Sequence, residues 1–151
     1  HYGSTEQDVA ALLKQQLEAT GMITVNIRSA EWSTYTDYAR KGVMEVYLLG
    51  WYPDYIDPDD YMVPFFRSGA NSWLGNGYSN PTVDRLLDEA SVLVNQTARA
   101  QIYAQVQKII AEDAPIVPLF QGKLYIVTKP GIKVTVDPTM VLRYWLISGS
   151  T

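Results

Sequence analysis

Between Gly50 and Gly77 the chain carries no sustained hydrophobic period, although the residues on both sides do, and this interruption limits the folds open to it. The stretch mixes Gly, Pro, Asp and Asn with Trp51, Tyr52, Tyr55, Tyr61, Phe65, Phe66 and Trp73. Long irregular segments within compact domains are functional or disordered. This one is too aromatic for disorder, because rings of that size pack a satellite core or meet a ligand. One helical turn is expected inside it, near Asp59 to Phe66.

Regular patterns flank it. Upstream, Ser4 or Thr5 offers an N-cap, with Gln7 placed as in a capping box. Val9, Leu12, Leu13 and Leu17 then recur at helical spacing, and Gly21 marks the stop. Ile23 to Arg28 alternates apolar and polar residues, which predicts a half-buried strand. A short helix is expected from about Ser33 to Arg40, ending at Gly42, and the apolar run from Met44 to Leu49 predicts a buried strand. Helix, strand, helix, strand argues for an α/β layer with parallel pairing. Downstream, Asn80-Pro81 opens a helix bearing Val83, Leu86, Leu87, Ala90 and Val94. A second helix carries Ala98, Ile102, Val106, Ile109 and Ile110 on one face and ends at Ala114-Pro115. Strands are expected at Ile116 to Phe120 and Lys123 to Thr128. The tail from Lys129 to Thr151 holds two turn signals and a last apolar run, Val141 to Ile147.

Composition excludes several classes of function. The 151 residues carry a net charge of −4 and no basic run, so binding nucleic acid by neutralising phosphates has little support. With no cysteine, the chain has no disulfide, thiolate metal site or Cys nucleophile. Its one histidine is His1, so no Ser–His pair is expected to form within it. No apolar run is long enough to span a membrane. The opening His1-Tyr2-Gly3 lacks a signal-peptide pattern and reads as a fragment or processed product.

Two signals remain. Asp54, Asp57, Asp59 and Asp60 crowd one loop, but their spacing does not match an EF-hand, and Asp57-Pro58-Asp59-Asp60 also describes a turn entering an acid-rich helix start. Nothing sets two of these carboxylates across a glycosidic bond, so a carbohydrate-active enzyme using Asp54 and Asp57 is a distant reading. Asp54 follows an expected strand at its carboxyl end, where α/β proteins bind ligands. It either pairs with an amino group there or caps the turn. The aromatic residues around it either pack against one another or present flat faces to a ligand.

The run Leu48-Leu49-Gly50-Trp51-Tyr52-Pro53-Asp54-Tyr55-Ile56-Asp57-Pro58-Asp59-Asp60-Tyr61 resembles the Gly-Trp-x-x-Asp-x-x-Asp-Pro signature of the family 5 solute-binding proteins, the dipeptide- and oligopeptide-binding components of ABC importers. Leu12 to Val25, Gly77-Tyr78-Ser79-Asn80-Pro81-Thr82-Val83-Asp84 and Arg99 to Pro118 resemble the family's flanking segments in order and spacing. The resemblance implies one α/β domain over 1–151, with a mixed sheet flanked by helices. That domain is similar to the carboxyl-terminal, second lobe of a cluster C (type II) periplasmic binding protein. The last strand, about 142–147, would return toward the first lobe.

The resemblance further implies a ligand closed between lobes, a peptide above all, with an oligosaccharide as the alternative. It implies delivery to a membrane ABC permease, a periplasmic or extracytoplasmic location with any lipid anchor outside this chain, a monomer, no cofactor, no metal and no catalysis. In peptide-binding members the motif Asp holds the ligand's α-ammonium and the motif Trp lines the cleft. These positions are Asp54 and Trp51, with Tyr52, Tyr55 and Trp73 as further wall residues. Tyr52-Pro53 stands where peptide binders commonly have small residues, and would reshape the site.

Overall fold

The computed structural model describes residues 1 and 3–149, so Tyr2 and the end of the expected tail lie outside the described residues. The chain divides into two compact units: His1–Trp51 with Pro64–Asn80, and Tyr52–Val63 with Pro81–Thr151. Among the described residues five α-helices appear at the expected places: α1 (Ser4–Glu18), α2 (Trp32–Arg40), α3 (Asp59–Phe66), α4 (Pro81–Val92) and α5 (Gln96–Asp113).

In the first unit, α1 begins one residue earlier than expected. Gly3, extended at φ −139° and ψ 172°, is its N-cap, and Gln7 N–H reaches the Gly3 carbonyl at 3.0 Å. Ser4 therefore lies inside the helix, and no side chain caps it. No residue of α1 is buried; Leu12 and Leu17 of the expected apolar face are exposed. Helix α2 starts after Glu31, whose carboxylate accepts Ser33 N–H at 2.9 Å, and Gly42 just past its end sits at φ +61°. The core of this unit is small: Tyr35 and Ala39, one turn apart on α2, together with Phe66 and Leu74.

The segments expected as strands 23–28 and 44–49 do not form strands. A strand needs a hydrogen-bonded neighbour along its length, and alternation specifies only which face it would bury. Side chains serve the backbone instead. Glu18 accepts Val25 N–H at 3.0 Å, and Lys14 Nζ donates to the Val25 carbonyl. The Tyr35 hydroxyl both donates to the Leu48 carbonyl (2.7 Å) and accepts Leu48 N–H (2.9 Å), so one phenol does the work of a partner residue. At the end of the first segment, the His1 nitrogen donates to Arg28 O (3.0 Å) and Ala30 N–H donates to His1 O (3.2 Å), the pattern of a parallel pair.

The second unit is built on the α4–α5 hairpin. Val83, Leu86, Leu87 and Ala90 of α4 are buried, as are Ile102, Tyr103, Val106 and Ile110 of α5. Val94, expected on the α4 face, lies beyond the helix end and is exposed. Asn95 caps α5, accepting Ala98 N–H at 3.1 Å, and Ala114 ends it in the left-handed region at φ +48°, just before Pro115. A residue preceding proline is kept out of the helical basin, which explains the stop at this point.

The strands expected at 116–120 and 123–128 do not form either: these residues are largely exposed, Val127 to 93%. The apolar run 141–147 forms a short 3₁₀ turn, Tyr144–Leu146, and an isolated bridge from Leu142 to Val136. Among the described residues the one sheet is β1 (Ile132–Lys133) against β2 (Ser148–Gly149), antiparallel, so the mixed, parallel-paired sheet expected of the chain is not formed here.

Candidate functional site

The signature run lies across the division of the chain, with Trp51 and Trp73 in the first unit and Tyr52, Asp54 and Tyr55 in the second.

In the first unit Trp51 is half-buried among aromatic rings. Its ring meets Phe65 edge-on at 5.1 Å and Trp73 edge-on at 6.0 Å between centroids. Trp73 is 39% exposed, and the Arg40 guanidinium lies 5.6 Å from its ring centroid. A cation over an indole face holds the ring without covering its other surface. Two amide side chains shape the backbone around the cluster: Asn71 Nδ2 donates to Tyr78 O at 2.7 Å and Asn76 Nδ2 to Phe65 O at 2.8 Å. The rings therefore pack on one another, as one of the two sequence readings expects, while Trp73 stays partly open.

In the second unit the acidic loop has a definite construction. Asp57 Oδ1 accepts Asp59 N–H at 2.8 Å in the first turn of α3, and buried Asp60 turns back to accept Asp54 N–H through Oδ2 at 2.9 Å. Asp59 accepts the Tyr55 hydroxyl at 2.7 Å, which holds that phenol well above its ordinary range. Thus Asp57, Asp59 and Asp60 serve the loop and helix start. Among the described residues, no cluster of His, Cys, Asp or Glu is arranged to hold a metal ion. Asp54 differs from its neighbours: its side chain is exposed and its carboxylate has no hydrogen-bond or ion-pair partner among the described residues. Tyr52 (65%) and Tyr55 (48%) are exposed beside it in sequence.

The residue that sequence reasoning missed is Arg99. Its guanidinium grips the Asp57 carboxylate with both terminal nitrogens, the Nη2–Oδ1 distance being 2.7 Å. It also donates through Nε to the Ala90 carbonyl (3.0 Å) and through Nη2 to the Tyr103 hydroxyl (3.0 Å). A signal was available. Positions 99, 102, 103, 106 and 110 form one helical stripe, and an arginine within an apolar stripe needs an acid, which the loop supplies. The Arg99 hydrogen bonds hold the Asp57 carboxyl below the usual carboxylate range.

The sign of the resulting pH dependence follows. A carboxyl whose folded-state pKa is depressed contributes stability that is complete above its unfolded value of about 3.9 and is lost as pH falls through the folded value. In urea titrations, wild type should exceed Asp57→Asn by a constant margin from pH 7 to about pH 5, and the margin should shrink below about pH 4. A margin independent of pH down to pH 2.5 would deny the ion pair its part in stability.

Residues 1–73 match the family model described as bacterial extracellular solute-binding proteins, family 5 Middle. The periplasmic oligopeptide-binding protein OppA of Haemophilus influenzae is 30% identical over 125 residues, covering 83% of this chain and 23% of the relative. The heme-binding protein A of the same organism is 31% identical over 115 residues, covering 74% of this chain and 20% of the relative. Among solved structures, a dipeptide binding protein from Pseudoalteromonas sp. SM9913 in complex with Met-Leu superposes with a TM-score of 0.83 at 25% identity, covering 95% of this chain and 29% of that one. The chain thus spans about a quarter of the length of these relatives. From the match over its first half and from relatives that run through most of its length, the chain belongs to family 5 of the bacterial extracellular solute-binding proteins.

Proposed function

We propose that this chain is the carboxyl-terminal part of a two-lobed periplasmic binding protein that captures a peptide and delivers it to an ABC permease, without catalysing a reaction. The observation that carries the site is the carboxylate of Asp54, which has no partner among the described residues, on a loop whose other three acids are engaged. An exposed carboxylate on a backbone tied to Asp60 suits a ligand ammonium, and a charge-assisted bond to it would set peptide register without reading side chains. Trp51 and Trp73 would offer aromatic surface to the ligand, and Tyr52 and Tyr55 would line its path. Closure of one lobe on the other would then exclude water from the ion pair.

Peptide is favoured over other solutes by the cargo named for OppA and for the Met-Leu complex, while the heme-binding relative shows that cargo differs between similar proteins. Among the described residues no helix is long and apolar enough to cross a membrane. The test is to purify the full-length protein encoded by the gene and record its native mass spectrum without added ligand. Bound masses that sequence as peptides are expected. A ladder spaced by hexose units would replace this reading with oligosaccharide capture, and a heme mass would replace it with heme capture.

A further inference from the structure

Three elements of the second unit meet at one guanidinium. Arg99 stands in the first turn of α5, its Nε bonds the Ala90 carbonyl in the last turn of α4, and its terminal nitrogens hold Asp57 in the acidic loop. Its ring partner is Tyr103, one turn along α5, with Arg99 Cζ 5.2 Å from the ring centroid and Nη2 bonded to the hydroxyl. The side chain is only 12% exposed. Lysine cannot reproduce this, because an ammonium lacks the planar fork that engages a carboxylate, a carbonyl and a phenol at once.

The loop it holds has little other regular structure. Tyr52 to Pro58 lies outside any helix or strand; Asp57 N–H bonds Tyr55 O (3.0 Å), and Asp54 N–H to Asp60 Oδ2 (2.9 Å) and Tyr55 OH to Asp59 Oδ2 (2.7 Å) tie the loop to α3. Asp57 anchors that short loop to the helix hairpin at one point and starts α3 at the other, through Asp59 N–H. Asp60, which fixes the Asp54 amide, is in the first turn of the helix started in this way. A continuous run of bonds therefore leads from the packed α4–α5 hairpin to the backbone of Asp54.

From this run we infer that Arg99 is a positioning residue for the solute site: by clamping Asp57 to the helix hairpin it holds the loop in which Asp54 presents its carboxylate, without itself touching the ligand. This rests on the proposed role of Asp54, and the test separates the two. In the full-length protein, Arg99→Lys, Asp57→Asn, Asp54→Asn and the double variants with Asp54→Asn are titrated calorimetrically with a dipeptide. Amide exchange is followed by NMR in the ligand-free proteins.

Arg99→Lys is expected to weaken dipeptide binding about 10-fold or more alone, and to add almost nothing on the Asp54→Asn background, since coupled positions are not additive. Asp57→Asn, which keeps the loop's volume, should reproduce it. The Asp54 amide should exchange faster by about 10-fold while the Val106 amide in the middle of α5 is unchanged. Equal affinity losses on both backgrounds, or an exchange increase shared by Val106, would reduce Arg99 to a general stabiliser and overturn the inference. If Asp54→Asn alone leaves binding intact, the ammonium role fails, and Arg99 is judged on the Asp54 amide: faster exchange there sustains the clamp, and unchanged exchange overturns it.

Discussion

Asp54→Asn in the full-length protein should cost about 2–5 kcal/mol of affinity for a peptide with a free amino terminus, the usual loss when a desolvated charge pair is left with one member. The physical reason lies in the contrast among four neighbouring acids. Asp57 is satisfied by Arg99, Asp59 accepts from Tyr55 and Asp60 accepts the Asp54 amide, whereas the Asp54 carboxylate has no such partner among the described residues. Asparagine preserves the shape and the backbone bond to Asp60 but removes the charge. The same substitution should leave binding of an N-acetylated peptide nearly unchanged, because that ligand brings no ammonium to be paired. Calorimetric titration with both peptides gives the difference directly. Equal losses for the two ligands, or no loss for either, would remove the ammonium role from Asp54.

The second large effect concerns folding and comes from two glycines with the same backbone angle. Gly75 and Gly77 both sit at φ +64°. An added Cβ at Gly77 would meet nothing within 4 Å, so Gly77→Ala should cost only the left-handed penalty of about 1–2 kcal/mol. At Gly75 the same atom would stand 1.6 Å from the Ala39 carbonyl oxygen and 2.8 Å from its carbon. That carbonyl belongs to the last turn of α2 and accepts Gly42 N–H at 2.9 Å, so relief requires moving backbone rather than a flexible side chain. Gly75→Ala should therefore lose about 3 kcal/mol or more beyond Gly77→Ala, at or above the upper end of ordinary overpacking. Urea unfolding of the two variants isolates the contact from the torsion, and equal midpoints would mean that the close approach is absent in solution. Displacing α2 would also disturb Tyr35, whose hydroxyl holds Leu48 three residues before Trp51.

These two expectations differ in how far the sequence alone could have supported them. Asp54 was legible beforehand, because the run from Leu48 to Tyr61 has an order and spacing that resemble a known signature. Its lack of a partner was not legible, since any of four adjacent acids could have been the free one. Arg99 stood in plain view within an apolar helical stripe, but its choice of Asp57 depended on where the loop meets the hairpin. Gly75 and Gly77 are indistinguishable in the sequence Gly75-Asn76-Gly77, and only the approach of Ala39, far away in the chain, separates them.

The helices are legible in the sequence for a related reason. The apolar spacing of Val83, Leu86, Leu87 and Ala90, the asparagine cap at Asn95 and the stop before Pro115 are local features, and a helix closes its hydrogen bonds within its own segment. The strand readings at 23–28, 44–49, 116–120 and 123–128 failed to produce a sheet because a ladder is closed by another segment. Alternation in Ile23 to Arg28 could assign faces but could not supply the neighbour; Glu18 took over the Val25 amide in its place, as Tyr35 took over the Leu48 backbone in the second segment. Local spacing and motif order were enough for the helices, the acidic aromatic loop and the family. Which acid lacks a partner among the described residues, which arginine pairs with the loop and which glycine has a carbonyl pressed against it emerge only from the folded chain, because each depends on distance between residues apart in sequence.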